Sequence, residues 1–137
     1  MMLGAEGINM GTRFCATQEA PIHDNIKQAL VGAKETDTNL IFRTLRNTGR
    51  VLKNQVSDEV IRIESRPGGC EFSDIQPLVA GARGRAALAD GDVDAGLVWA
   101  SQVIGLIDDI PTCAELLERM VADCRAALRE GLAAFDA

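Results

Sequence analysis

The amino-acid sequence predicts a mainly α-helical chain with minor β structure, and three patterns carry that reading. Leu116, Met120, Cys124, Leu128 and Leu132 recur every four residues behind Thr112 and Glu115, which form a T-x-x-E capping box. One amphipathic helix with a single buried stripe is therefore expected from Thr112 to Ala133, with Thr112 as its N-cap. Ile26, Ala29, Leu30 and Ala33 share a second apolar helix face. Only one run reads clearly as a strand: Gly7 to Met10, a short apolar stretch between glycines that ends in a tight turn at Gly11 and Thr12.

After that strand, a polar turn at Pro21-Ile22-His23-Asp24 makes Asp24 the expected N-cap of the helix through Ile26 and Ala33. Thr38 to Thr44, with Leu40, Ile41 and Phe42 at its centre, is either a strand or a buried connection. Asn47 to Asn54 and Asp58 to Glu64 read as successive short helices. Arg66-Pro67-Gly68-Gly69 is a break, after which Ser73 is placed to cap a helix through Ile75, Leu78 and Val79. That helix runs on past a kink at Gly81 or Gly84 to Leu88, and Asp90-Gly91-Asp92 stops it. Leu97 to Ile107 is apolar at almost every position and ends at Asp108-Asp109-Ile110-Pro111. A lone strand at the start is anomalous, because its hydrogen-bonding edges need neighbours that the other segments do not supply, so partner strands are expected before Met1.

Composition narrows the function classes. With 137 residues and 47% hydrophobic content the chain can bury one modest core. Fourteen Lys and Arg against twenty Asp and Glu give a net charge of −6 with no basic patch, which excludes the footprint of a nucleic-acid binder. The longest uncharged stretch, Ala95 to Ile107, is too short to span a bilayer, and the first residues lack a signal peptide's basic and apolar regions. A soluble cytoplasmic protein without a membrane partner is expected. Cys15, Cys70, Cys113 and Cys124 contain no C-x-x-C pair, so reduced thiols are expected and no metal site. His23, the single histidine, sits in a Pro-flanked turn and gives none of them a base.

The chemistry begins at the first turn. A short strand running into Met10-Gly11-Thr12-Arg13-Phe14 is how (β/α)8 barrels hold a phosphate. The glycine lets backbone N–H groups approach the anion, the Thr12 hydroxyl adds a donor, and such sites often follow the last two barrel strands. By itself the motif also fits an ordinary glycine turn. Its surroundings are more specific. Gly4-Ala5-Glu6-Gly7-Ile8-Asn9-Met10-Gly11-Thr12-Arg13-Phe14, followed by Glu19-Ala20-Pro21-Ile22-His23, resembles the final barrel strand and phosphate loop of the nitronate monooxygenases, formerly called 2-nitropropane dioxygenases. The resemblance continues through Phe42-Arg43-Thr44-Leu45-Arg46-Asn47-Thr48, Arg50-Val51-Leu52-Lys53-Asn54 and Val79-Ala80-Gly81-Ala82-Arg83-Gly84. It ends with Val98-Trp99-Ala100-Ser101-Gln102 and Gly105-Leu106-Ile107-Asp108-Asp109-Ile110-Pro111, and so covers nearly the whole chain in order.

The resemblance implies the carboxy-terminal fragment of an FMN-binding (β/α)8 barrel, its last strand and phosphate loop, together with the helical accessory domain. On that division residues 1–36 are the end of the barrel, 37–110 the accessory domain and 111–137 a carboxy-terminal amphipathic helix. It implies FMN as cofactor, O2 and a small nitronate or nitroalkane as reactants, and carbonyl compounds and nitrite as products. Met10, Gly11 and Thr12 match the residues beside the FMN phosphate. Ser101 and Gln102 fall where the accessory domain turns back toward the flavin face, with a serine where the family commonly has glycine. The family's catalytic histidine lies upstream of this chain, a complete barrel takes roughly 250 residues, and His23 is not its replacement. The isolated chain is accordingly expected to be inactive, its partners being the missing barrel portion or a second copy. An FMN-dependent enoyl-acyl-carrier-protein reductase, which shares the barrel and the Gly-Thr-Arg-Phe loop, is the nearest alternative. An inactive truncated helical fragment is the alternative from another class. Arg43, Arg46 and Arg50 form a basic cluster, read as paired and solvated arginines at a domain junction rather than as an anion site.

Overall fold

The computed structural model describes residues 4–134, so positions 1–3 and 135–137 of the terminal segments expected from sequence lie outside the described residues. The element order is α1 (Thr12–Cys15), α2 (Asp24–Gly32), β1 (Thr38–Ile41), β2 (Gly49–Leu52), α3 (Gln55–Glu64), α4 (Phe72–Val79), α5 (Gly81–Asp90), a 3-10 turn at Gln102–Leu106, and α6 (Cys113–Ala133). The mainly helical reading holds, and the β structure lies elsewhere than expected. Gly7 to Met10 has no regular structure, and Ile8 is 71% exposed. A strand persists only through ladder hydrogen bonds to a neighbour, and the two named strands pair with each other instead.

The region read as a helix from Asn47 to Asn54 contains β2, antiparallel to β1 with Thr38 opposite Leu52 and Ile41 opposite Gly49. Tertiary pairing overrides the local pattern here. The other edge of β2 is taken by the apolar run: the Leu52 N–H donates to the Val98 carbonyl at 2.8 Å, and Val51 bridges Trp99. Successive side chains on such a ribbon point to opposite faces. Val51 thus enters a core with Ile41, Val56, Val60, Ile63 and Ile75, while Leu52 enters a second with Ile26, Leu30, Val98 and Ile104.

The β1–β2 connection holds two non-glycine residues in the left-handed region, Phe42 (φ 63°) and Arg46 (φ 55°). Buried Glu64 fastens it, accepting from the Phe42 N–H at 3.0 Å and the Thr44 hydroxyl at 2.9 Å.

Three helix starts differ from expectation because a neighbouring side chain reaches the free N–H groups first. His23 rather than Asp24 caps α2, its Nδ1 accepting from the Asn25 N–H at 3.1 Å. Asn54 caps α3 in a reciprocal box with Ser57, so the helix begins at Gln55, three residues before Asp58. Ser73 lies inside α4, where Asp74 accepts from the Glu71 N–H at 2.9 Å. The expected single kinked helix is two, separated at Ala80 (φ −54°, ψ 129°) shortly after Pro77, and α5 ends on Gly91 in the left-handed region (φ 77°).

In α6 the Thr112–Glu115 box is present, but the stripe is not buried: Leu116 is, whereas Leu128 is 46% and Leu132 64% exposed. Among the described residues the polar ties of α6 to the body lie in its first turns, with Glu19 accepting from the Cys113 N–H at 2.9 Å and Asp109 pairing with Arg119 at 2.7 Å. A four-residue period fixes which face is apolar, not whether anything covers it.

Candidate functional site

The site is a clamp between the first turn and the segment that follows β2's outer neighbour. Gly11 precedes α1 with φ −108°, a backbone open to any residue, and a Cβ built on it meets nothing within 4 Å. The glycine therefore answers no steric demand inside this chain and leaves open space at the mouth of a pocket. The Ser101 N–H donates to Thr12 Oγ1 at 3.0 Å, and the two hydroxyl oxygens lie 3.2 Å apart. Arg13 fixes the loop from behind, donating to the Asp109 carbonyl at 3.1 Å and pairing with the Asp109 carboxylate at 2.5 Å. The hydrogen bond from Arg119, with Arg13 on the other oxygen, holds the Asp109 carboxyl below its ordinary range.

A pocket of about 470 Å³ opens here, lined by Met10, Gly11, Thr12, Ser101, Val103 and Ile107 among others. The N–H groups of Thr12 and Arg13 have no carbonyl partner among the described residues. A shallower recess of about 300 Å³ adjoins it, bordered by Gly11, Thr12, Ser101, Trp99 and Arg50. Trp99 is 57% exposed, with its ring tilted 6.4 Å from Phe42.

The structure thus brings Met10, Gly11, Thr12 and Ser101 together. Gln102 opens the 3-10 turn, is exposed, and does not line the pocket. His23 is committed to capping α2 and packs on Gly91, where a Cβ would collide with the imidazole. Cys15 borders the recess, but burial pushes its thiol pKa up, the wrong direction for a nucleophile. Among the described residues no three His, Cys, Asp or Glu side chains are grouped to hold a metal, and no helix is long and apolar enough to cross a membrane. Arg50 at the recess is the residue the sequence reading missed. The arginines at 43, 46 and 50 make no ion pair among the described residues, contrary to the paired reading; the buried carboxylate that shares a hollow with Arg43 and Arg50, Glu64, is taken by the hairpin connection. Their spacing was visible in sequence, but the hairpin that turns Arg50 toward Gly11 was not.

Comparison with known proteins follows the same lines. The profile of the nitronate monooxygenase family matches residues 1–123. The chain is 27% identical over 88% of its length to a (3aS,4S,5R,7aS)-5-hydroxy-7a-methyl-1-oxo-octahydro-1H-indene-4-carboxyl-CoA dehydrogenase of Rhodococcus jostii, and 30% identical over 88% to the protein of that name in Mycobacterium tuberculosis. It is 28% identical over 74% of its length to a probable nitronate monooxygenase of Staphylococcus aureus. It spans 44%, 43% and 28% of these three relatives. The solved structure of FabK from Thermotoga maritima matches 94% of this chain with a TM-score of 0.84 at 27% identity, and 40% of that chain is covered. Fold and matched residues together place the chain in an oxidoreductase family. Within that class, the chain belongs to the nitronate monooxygenase family.

Proposed function

We propose that Met10, Gly11 and Thr12 hold the phosphate end of FMN, with Ser101 closing the loop, in an oxidoreductase that converts alkyl nitronates and O2 to carbonyl compounds and nitrite. The observation that carries the reading is that these four residues line one pocket although 89 positions separate Thr12 from Ser101. On this reading residues 1–36 form the end of an FMN-binding (β/α)8 barrel, 37–110 the accessory domain and 111–137 the closing helix.

The residues present fit a phosphate. Gly11 leaves its approach open, two backbone N–H groups are without carbonyl partners, and Thr12 Oγ1 already accepts from Ser101, so its own proton is available to an oxyanion. The Arg13 guanidinium is engaged by the Asp109 carboxylate and carbonyl, so recognition at the loop rests on hydrogen bonds, with Arg50 as the bordering positive charge. When bound, FMN supplies the electron-accepting ring. The proton abstraction that a nitroalkane requires needs a base at hydrogen-bonding distance, and the chain's single histidine is engaged at α2. The base is accordingly assigned to the remainder of a protein as long as its relatives, and the 137 residues alone are expected to give no oxygen consumption with propane nitronate beyond that of free flavin.

A second reading, oxidoreduction of an acyl thioester as in a carboxyl-CoA dehydrogenase or an enoyl-acyl-carrier-protein reductase, is favoured by one observation. The two carboxyl-CoA dehydrogenases match 88% of this chain, against 74% for the Staphylococcus aureus protein. The phosphate assignment is tested by titrating the chain with FMN and with riboflavin, which lacks the phosphate, following flavin fluorescence. FMN should bind more tightly; equal affinity in a folded chain removes the assignment. In a protein of the relatives' length, oxygen uptake with a nitronate against NADPH oxidation with an enoyl thioester separates the two chemistries.

A further inference from the structure

We propose that the hollow beside the β1–β2 hairpin is an anion site that takes the phosphate-bearing end of an acyl thioester of the coenzyme A type. The proposal rests on the thioester reading above and names where such a substrate is anchored. The hollow measures about 490 Å³, and its polar wall is Arg43, Arg50, Thr38, Thr44, Glu64 and Ser65.

Four observations lead there. Arg43 and Arg50 have no carboxylate within 4.0 Å among the described residues, in a chain where acidic side chains outnumber basic ones by twenty to fourteen. Other arginines, such as Arg46 and Arg66, are likewise without an ion pair among the described residues, but Arg43 and Arg50 are the two in the wall of the hollow. The one carboxylate in the wall, Glu64, is buried and turned to the Phe42 N–H, the Thr44 N–H and the Thr44 hydroxyl, so it salt-bridges neither arginine. Arg50 is held in place by donating to Thr38 Oγ1 at 2.7 Å, which leaves the rest of its guanidinium fork for a second acceptor. A planar fork of this kind matches phosphate oxygens better than an ammonium does.

The connection that presents Arg43 is itself constrained. Two non-glycine residues in the left-handed region flank it in sequence, at Phe42 and Arg46. Such strain persists where the surroundings over-determine it, and it concentrates at ligand clamps. Arg50 also borders the recess of Gly11, Thr12 and Ser101, so the hollow and the phosphate loop lie on one surface with a shared residue. A carrier held by its phosphates at Arg43 and Arg50 can extend its thioester arm along that surface past Trp99.

The test uses the full 137-residue chain and coenzyme A as the probe, by isothermal titration, with pantetheine (no phosphate) and inorganic phosphate beside it. Coenzyme A should bind at least about tenfold more tightly than pantetheine, and Arg43→Gln should weaken it about tenfold, the scale of one charge-assisted hydrogen bond. Arg43→Gln with Arg50→Gln should weaken it further. Arg43 is exposed and makes no ion pair, so its variant should keep the wild-type melting curve. Unchanged coenzyme A affinity in Arg43→Gln overturns the proposal, as does failure of the folded chain to prefer coenzyme A over pantetheine. Inorganic phosphate binding as tightly as coenzyme A overturns the carrier assignment. The flavin reading is separated by the FMN-over-riboflavin preference, which Arg43→Gln should leave intact. If that preference is absent while the Arg43-dependent coenzyme A binding holds, the flavin reading fails and the anion site stands.

Discussion

Replacing Asn54 tests how the site-bearing segment is held. The side chain is 6% exposed and makes three bonds: its Oδ1 accepts from the Ser57 N–H at 2.8 Å, and its Nδ2 donates to the carbonyls of Val93 at 2.6 Å and Gly96 at 2.8 Å. The first caps α3, and the other two fix the turn that delivers Leu97 to Ser101. Asn54→Ala removes about 1 kcal/mol of capping and strands a buried carbonyl at Gly96 and a partly buried one at Val93, at about 1 kcal/mol or more each. The sum is about 3 kcal/mol, a large part of a domain's total stability, and it lowers the urea midpoint by roughly 1.5 M at a slope near 2 kcal/mol/M. Asn54→Asp is the sharper arm. Aspartate caps helices as well as asparagine does, so a purely capping role leaves stability intact. With two carbonyl oxygens facing the replaced amide, the structure requires the aspartate variant to be no better than alanine at neutral pH. Urea unfolding followed by far-ultraviolet circular dichroism measures both. An Asn54→Asp chain within about 0.5 kcal/mol of the original would refute the reasoning, since the two donated bonds would then contribute nothing.

Gly11→Val should melt with the parent, because a Cβ there meets nothing within 4 Å, yet lose the preference for FMN over riboflavin; a retained preference would detach Gly11 from the phosphate. Thr112→Ala should cost about 1 kcal/mol in urea unfolding, since Thr112 Oγ1 accepts from the Glu115 N–H at 3.2 Å. In acid, Glu19, Asp109 and Glu115 all titrate below their ordinary values, through the Cys113 N–H, the Arg119 guanidinium and the Thr112 N–H respectively. Carboxylates depressed in the folded state contribute stability that is present above their unfolded pKa and lost as the pH falls through the folded one. The urea midpoint should therefore drop below about pH 4, and less so in Asp109→Asn. The effect should be small and weaken with salt, because these groups are exposed.

Much of this was legible in the residues themselves. The Thr112–Glu115 box, the Gly91 stop and the apolar face through Ile26 and Leu30 are local: spacing along a few turns and one or two side chains settle each of them. The loop at Gly11 and Thr12, and the family, were also readable, because each is a matter of residue types in order.

The hairpin was not. Val51 and Leu52 suit either a short helix or a strand, and what decides between them is a pair of neighbours, β1 and the Val98–Ala100 run, that sequence does not place beside them. Gly7 to Met10 failed in the opposite sense, for a run apolar enough for a strand stays irregular when no ladder forms. The α6 stripe was located correctly and its burial was not, since an amphipathic period is a property of one helix and burial belongs to two surfaces. The meeting of Thr12 with Ser101, and of Arg50 with both, likewise exists only once the ribbon has folded between the two cores. Local order along the chain sets caps, turns and motifs through contacts within a few residues, whereas the candidate site depends on hydrogen bonds and packing across dozens of positions, which only the tertiary structure brings within reach.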